Sequence, residues 1–247
     1  MKITMTTIPI LTPLNSLKNT VSKRDVVNFK KKWCNENEII SKIITDKLRK
    51  YFISPVLDVG AGIGDIAYNA LYDMKVICID INKVSLSDHA LSPKHKRLQK
   101  NFFDYAPAKK INTLFISHSL QFIDDDIVKL NLQINKLNPQ NIVLVLNKND
   151  DFMGELVNLF LQNHNDANPE IKLANFPNNY KLIDSVSFKA TLSCSSFESL
   201  AKQISYLMLT DLSENTEKNL IRFLKKHLIK PEFIFNQVIE IHTQNEK

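Results

Sequence analysis

The sequence predicts an α/β fold in which a mostly parallel sheet is covered by helices on both faces. Three observations carry this expectation. Short apolar runs, Val56-Leu57-Asp58-Val59, Val76-Ile77-Cys78-Ile79, Thr113-Leu114-Phe115-Ile116 and residues 142–146 (IVLVL), alternate with stretches of helical periodicity. Each run is apolar at consecutive positions, so both faces of each strand are buried, as in a parallel sheet between helical layers. Finally, three of the chain's four glycines fall within five residues, directly after the first run.

The elements follow in order. From about Asn37 a helical pattern begins, with Ile39/Ile40, Ile43/Ile44, Leu48 and Tyr51/Phe52 recurring every three to four residues until Pro55 ends it. After the glycines, Ile66, Ala67, Ala70 and Leu71 suit a second helix. Residues 85–91 read as helix and residues 98–102 as a weak strand. A helix is expected from about residue 125 to 137, with Asp124, Asp125 and Asp126 as its cap and first turn, where the helix dipole favours acids. Beyond Asp150 come a helix over 153–161, a polar stretch over 163–179, a strand over 182–192, amphipathic helices over 197–209 and 216–228, and an alternating strand over 233–241. The two late strands suit an antiparallel pair closing the sheet.

The 247 residues allow one α/β domain with appendages. The net charge of +6 comes from 32 basic and 26 acidic residues, but only Arg24, Arg49, Arg97 and Arg222 are arginines, the side chain best suited to bidentate phosphate contacts. The run Lys30-Lys31-Lys32 reads as a solvated face, with nucleic-acid contact as the alternative. Three scattered cysteines exclude a disulfide framework and a four-thiolate zinc site. The opening stretch makes a poor signal peptide, and no run approaches the roughly 18 apolar residues a membrane span needs. Cytoplasm is the expected compartment.

The glycine cluster lies in VLDVGAGIGD, where a strand ends and turns into a helix. Such a turn places backbone N–H groups at the carboxyl edge of the sheet, where open α/β sheets bind nucleotides. The spacing is G-x-G-x-G, not the dinucleotide G-x-G-x-x-G, and no G-K-[ST] follows. Asp58, two residues before the first glycine, would repel a pyrophosphate but tolerate a sulfonium and an ammonium.

These residues resemble motif I of class I S-adenosylmethionine (SAM)-dependent methyltransferases, with Asp58 at its acidic position. The resemblance covers about residues 53–150. It implies a Rossmann-like three-layer sandwich with a mostly parallel seven-stranded sheet, a closing antiparallel hairpin and an N-terminal helical lid. The cofactor implied is SAM, giving S-adenosylhomocysteine (SAH), with no metal expected. Residues 1–52 are expected to form the lid, with Phe29 and Trp33 over the cofactor mouth or Trp33 as an ordinary core residue, and residues 53–247 the SAM domain, with acceptor-side insertions at about 151–230.

Residue by residue, the resemblance gives Gly60, Ala61, Gly62 and Gly64 as the cofactor loop. Asp80, sixteen residues after Gly64 at the end of the second strand, takes the ribose hydroxyls, with a helix N-cap as its alternative. Ile81 lies against one adenine face. Asp104 accepts from the adenine amino group, with Phe103 flanking the ring. Ser117, His118 and Leu120 point towards the sulfonium and the acceptor. His118 is the candidate general base, or else only shapes the pocket. Trp33, Phe122, Phe176 and Tyr180 are the candidate acceptor contacts. Ser117-His118-Ser119-Leu120 stands where methyltransferases of nucleobase amino groups commonly carry N-P-P-Y, so a nitrogen or oxygen of a small metabolite is the expected acceptor. An RNA or DNA methyltransferase and a non-catalytic SAM-fold subunit are the alternatives. A nicotinamide dehydrogenase is disfavoured by the glycine spacing.

Overall fold

The computed structural model describes residues 34–81, 92–120, 127–148, 152, 155–156, 159, 176–207 and 213–245. Among them, seven strands form one sheet in the order β3-β2-β1-β4-β5-β7-β6. Strands β1 (Val56–Val59), β2 (Val76–Asp80), β3 (His95–Gln99), β4 (Thr113–Ser117) and β5 (Asn141–Asn147) run parallel. Strand β7 (Glu232–Gln244) runs antiparallel to β5, and β6 (Tyr180–Ser193) antiparallel to β7. The expected late pair therefore does close the sheet. The chain winds outward from β1 to β3 and then crosses back to β4, so the order reverses between β1 and β4. Ligand crevices of open sheets form at the carboxyl ends of the strands flanking such a reversal.

Five helices are placed with these strands among the described residues: α1 (Glu36–Ile43), α2 (Asp65–Ala70), α3 (Ile127–Leu137), α4 (Phe197–Leu207) and α5 (Glu214–His227). Leu57, Val59, Leu114 and Ile116 share one core with Leu130 and Ile134 of α3. Val56, Cys78, Phe115 and Val143 share another with Ile40 of α1 and with Ala67 and Ala70 of α2. Because each central strand is dry on both sides, its sequence is apolar apart from Asp58 and the polar residues at strand ends, Asp80, Thr113, Ser117, Asn141 and Asn147.

Residues 36–52 belong to this second core. Helix α1 continues through a wide turn, Ile44–Leu48, and a tight one, Arg49–Tyr51, and Ile44, Leu48 and Phe52 are buried with it. The described part of the expected cap is thus a layer of the sandwich, and packing marks no boundary at residue 52. Its start is also fastened to β6: the Asn35 carboxamide oxygen accepts from the Thr191 amide at 2.8 Å, and Cys34 bridges Leu192.

The hairpin β6/β7 outgrows the sheet. Asn147, the last residue of β5, pairs with Gln237, so residues 232–236 of β7 run on past the carboxyl edge beside the end of β6. A third core forms there from Ala190, Leu192, Phe233 and Phe235 against Leu200, Ile204, Leu220 and Leu224 of α4 and α5. Strand β3 lies at residues 95–99, earlier than expected at 98–102; as an edge strand, HKRLQ is mostly solvent-exposed and carries little apolar signal. The expected helix at 85–91 and the Asp124–Asp126 cap lie outside the described residues.

Candidate active site

The turn after β1 is held by its own hydrogen bonds. The amides of Gly60 and Ala61 both donate to the Ile79 carbonyl, at 2.9 and 3.1 Å, and the Gly64 amide donates to Ala61 at 2.8 Å. The Gly62 amide donates to the Asp80 carboxylate at 2.9 Å. With four of its amides committed internally, the loop is no phosphate cradle. It instead presents a curved backbone surface at the carboxyl edge.

Gly60, Gly62 and Gly64 all have positive φ, near 67°, 55° and 71°. Two of them have different further reasons to be glycine. A Cβ on Gly60 would lie 2.5 Å from the Cβ of Ser119, whose hydroxyl donates to the Val59 carbonyl at 2.6 Å. A Cβ on Gly62 would meet nothing closer than 4.0 Å. Gly60 is therefore closed off by the protein, and the open approach is at Gly62.

A cleft of about 170 Å³ lies beside this loop, lined by Asp58, Gly60, Ala61, Gly62, Gly64, Ser117 and His118 together with Asn37 of α1. Asp58 is buried under it, and among the described residues no donor reaches its carboxylate. Burial, and secondarily the negative charge of Asp80, pushes its pKa from 3.8 up to about 7. A buried carboxylate without a donor, facing a cleft, is a site for a cationic ligand group.

On the other side of the cleft His118 ends β4 in the left-handed region, at φ 51°. Its amide donates to the Val145 carbonyl at 3.1 Å, and its ring Nε2 lies 3.0 Å from the buried Glu36 carboxylate. Non-glycine residues in this conformation concentrate at functional sites. A second cavity of about 380 Å³, lined in part by Glu36, Glu38, Asn37 and Asp65, adjoins the first through the shared Asn37 and Asp65.

No family model and no curated protein matches the sequence. Solved structures do resemble the fold. BH2331 from Bacillus halodurans C-125, provisionally described as a methyltransferase, superposes with a TM-score of 0.57 at 13% identity, over 85% of this chain and 100% of that one. The plantazolicin methyltransferase BpumL, solved with SAH, gives 0.54 at 14% identity over 94% of this chain and 93% of that one. The N-methyltransferase NodS from Bradyrhizobium japonicum WM9 gives 0.51 at 9% identity over 85% of this chain and 97% of that one. The chain has the class I methyltransferase fold.

On this fold, the structure gathers most of the expected cofactor residues around one cleft and leaves others apart. Asp58, Gly60, Ala61, Gly62, Gly64, Ser117 and His118 line it. Asp80 reaches it through the Gly62 amide. Ile81 follows at the strand end, 69% exposed, and the Gln99 side chain donates to its carbonyl. Phe103 packs against the α3-side core and Asp104 is exposed; their turn is pinned by Gln133 of α3, which donates to the Phe102 and Tyr105 carbonyls at 2.8 Å. Neither lines the cleft itself. Leu120, expected to point at the sulfonium, is fully buried in the α3-side core, and that expectation is corrected.

Two acceptor assignments are also corrected. Tyr180 opens β6 opposite Gln244, and its hydroxyl donates to the Pro139 carbonyl, just before β5 begins. Phe176 packs on His242, which pairs with Ile142 near the start of β5. Both sit at the amino edge of the parallel strands, the edge opposite the glycine loop. The cause is the antiparallel sense of β6 and β7: their far ends, not the start of β6, reach the carboxyl edge. Trp33 and Phe122 lie outside the described residues, as does the lysine run at 30–32.

Sequence reasoning passed over Glu36, Asn37, Ser119, Asn147 and Gln237. Gln237 donates to the carboxylate of Glu36 and, at 3.0 Å, to the carboxamide oxygen of Asn147. A polar residue inside the apolar alternation of β7 is the one signal that marked this group.

Proposed function

We propose that the chain is a SAM-dependent methyltransferase whose acceptor is a nitrogen or oxygen of a small molecule. The observation that carries this reading is Asp58: a buried carboxylate with no donor among the described residues, facing a cleft beneath the glycine loop. The α-ammonium of SAM is a cation of the required kind. Open space at Gly62 lets the ligand lie against the backbone, and Asp80 at the adjacent strand end accepts the ribose hydroxyls. Ile81, with its exposed side chain, and Phe103 and Asp104 on the next turn take the adenine. The donor set therefore fits the cofactor.

Bound SAM supplies an electrophilic methyl: the acceptor lone pair forms the new bond as the carbon–sulfur bond breaks and leaves its electron pair on sulfur, giving SAH. The chain's own residues hold the reactants in line and exclude water, which accounts for much of the rate of such transfers. His118 and Ser117, at the end of β4, border the cleft on the transfer side. Among the described residues His118 is the one imidazole lining the cleft, suited to take the acceptor's proton.

Charge in the neighbouring cavity supports this acceptor class. Glu36, Glu38 and Asp65 line the neighbouring cavity, and their carboxylates repel a phosphate backbone while tolerating a small amine or hydroxyl compound. BpumL and NodS, methyltransferases of the same fold, support the activity by analogy.

Calorimetry with SAH tests the cofactor half: the folded protein binds it in the micromolar range, and no detectable binding at high micromolar ligand refutes the reading. Methyl incorporation from labelled SAM into small amines and alcohols, against RNA and DNA at low salt, tests the acceptor half. Label confined to nucleic acid overturns the small-molecule assignment.

A further inference from the structure

We infer that Glu36 is a positioning residue for His118, and that the pair, not His118 alone, forms the base of the site. The inference rests on the methyltransferase reading above and names the device that would handle the acceptor's proton.

The geometry brings four chain segments together at one point. Glu36 opens α1 and is 2% exposed. Its Oε1 lies 3.0 Å from Nε2 of His118, at the end of β4. The same oxygen accepts from Gln237 of β7, whose carboxamide also donates at 3.0 Å to Asn147 at the end of β5. Gln237 is fully buried, so the carboxylate is held from behind by a side chain that cannot swing into solvent. The His118 ring in turn comes from a residue in the left-handed region, a conformation that costs energy unless the surroundings enforce it.

A carboxylate only accepts hydrogen bonds, so facing Nε2 it selects the ring form with the proton on Nε2. The remaining basic nitrogen is then Nδ1, on a side chain that lines the cleft. In the transfer, a proton on the acceptor nitrogen or oxygen passes to Nδ1 as the methyl arrives, and the imidazolium formed is balanced by Glu36. The proton leaves to water after product release. At 3.0 Å the two groups touch without a formed hydrogen bond in this structure, and contacts of this kind commonly tighten only when substrate closes the site. The other carboxylates on the His118 cleft among the described residues are Asp58 and Asp65.

The firm packing of α1 into the sandwich holds Glu36 in place. Asn35 fixes the start of α1 to Thr191, and Ile40 and Ile44 bury its inner face, so Glu36 has little freedom. The amino-terminal element thus contributes a charge to the chemistry.

The test is nitrogen-15 NMR of the histidine rings in the full chain, with and without SAH, in wild type, Glu36→Gln and His118→Ala, the last to assign the signal. In wild type the His118 ring shows an Nε2–H proton visible because its exchange with water is slow. In Glu36→Gln, which keeps the shape and loses the charge, exchange quickens by roughly tenfold, the difference between charge-assisted and neutral hydrogen bonds, while SAH affinity is unchanged. A ring protonated on Nδ1, or exchange equal in the two proteins, overturns the proposal. If Glu36→Gln fails to fold, the wild-type spectrum still decides: no protected Nε2–H, no positioning carboxylate. Absence of SAH binding to wild type would sink the methyltransferase reading instead, and leaves the ring signal readable on its own.

Discussion

Cofactor binding should expel a proton from Asp58, and the size of that effect follows from where the carboxylate sits. Burial beneath the glycine loop and the neighbouring charge of Asp80 raise its pKa from 3.8 to about 7. A ligand ammonium placed beside it favours the ionised form, so binding and deprotonation are coupled. With a free-state pKa near 7, the apparent affinity for SAH rises by roughly fiftyfold between pH 5 and pH 7, because the ionised fraction of free protein rises by that factor. Calorimetry at pH 6, repeated in buffers of different ionisation enthalpy, reads the proton directly: about one is released per SAH bound. Asp58→Asn abolishes both the slope and the released proton. The same group also sets a stability slope in the protein without ligand. Its native pKa lies above the unfolded one, so the native state holds the proton more tightly, and stability from this group is present below about pH 4 and lost as pH rises towards 7. The shift from 3.8 to about 7 corresponds to about 4 kcal/mol, and Asp58→Asn should recover stability on that order at pH 8 and none at pH 4. An SAH affinity flat across this range, with no proton released, would refute the placement of the ammonium beside Asp58.

The other expectations follow from the site and its surroundings. Gly60→Ala should cost roughly 2–4 kcal/mol in urea unfolding, from the positive φ and the clash with Ser119, and adding Ser119→Gly should restore part of it; full stability of the single variant would show that the turn relaxes freely. Gly62→Ala meets open space and should cost only about 1–2 kcal/mol of stability, yet weaken SAH binding markedly, so unaltered binding would place the ligand elsewhere. Asp80→Ala removes the acceptor proposed for the ribose and should weaken SAH by about 1.5–3 kcal/mol, an unchanged dissociation constant arguing against that role. Tyr180→Phe deletes a buried hydrogen bond at the far edge and should cost about 1 kcal/mol of stability with cofactor binding intact; altered SAH affinity would contradict its placement.

The sequence by itself determined the layers and the loop. Strands buried on both sides are apolar at nearly every inner position, and a strand-to-helix turn with three positive φ values is glycine-rich, so β1, β2, β4, β5 and the run from Gly60 to Gly64 were legible as local patterns. Asp58 and Asp80 were legible for the same reason, as acids at fixed distances along the chain from that turn. Local pattern failed where neighbours in space are strangers in sequence. The edge strand β3 has little burial to imprint a pattern, and Tyr180 and Phe176 look like site residues until the antiparallel sense of β6 carries them to the opposite edge. Glu36, His118, Asn147 and Gln237 meet only because α1, β4, β5 and β7 converge at the carboxyl edge, and Glu36 and Gln237 stand 201 residues apart. Long-range electrostatic pairing leaves no periodicity in a sequence, because it fixes where side chains meet in space and not how they are spaced along the chain.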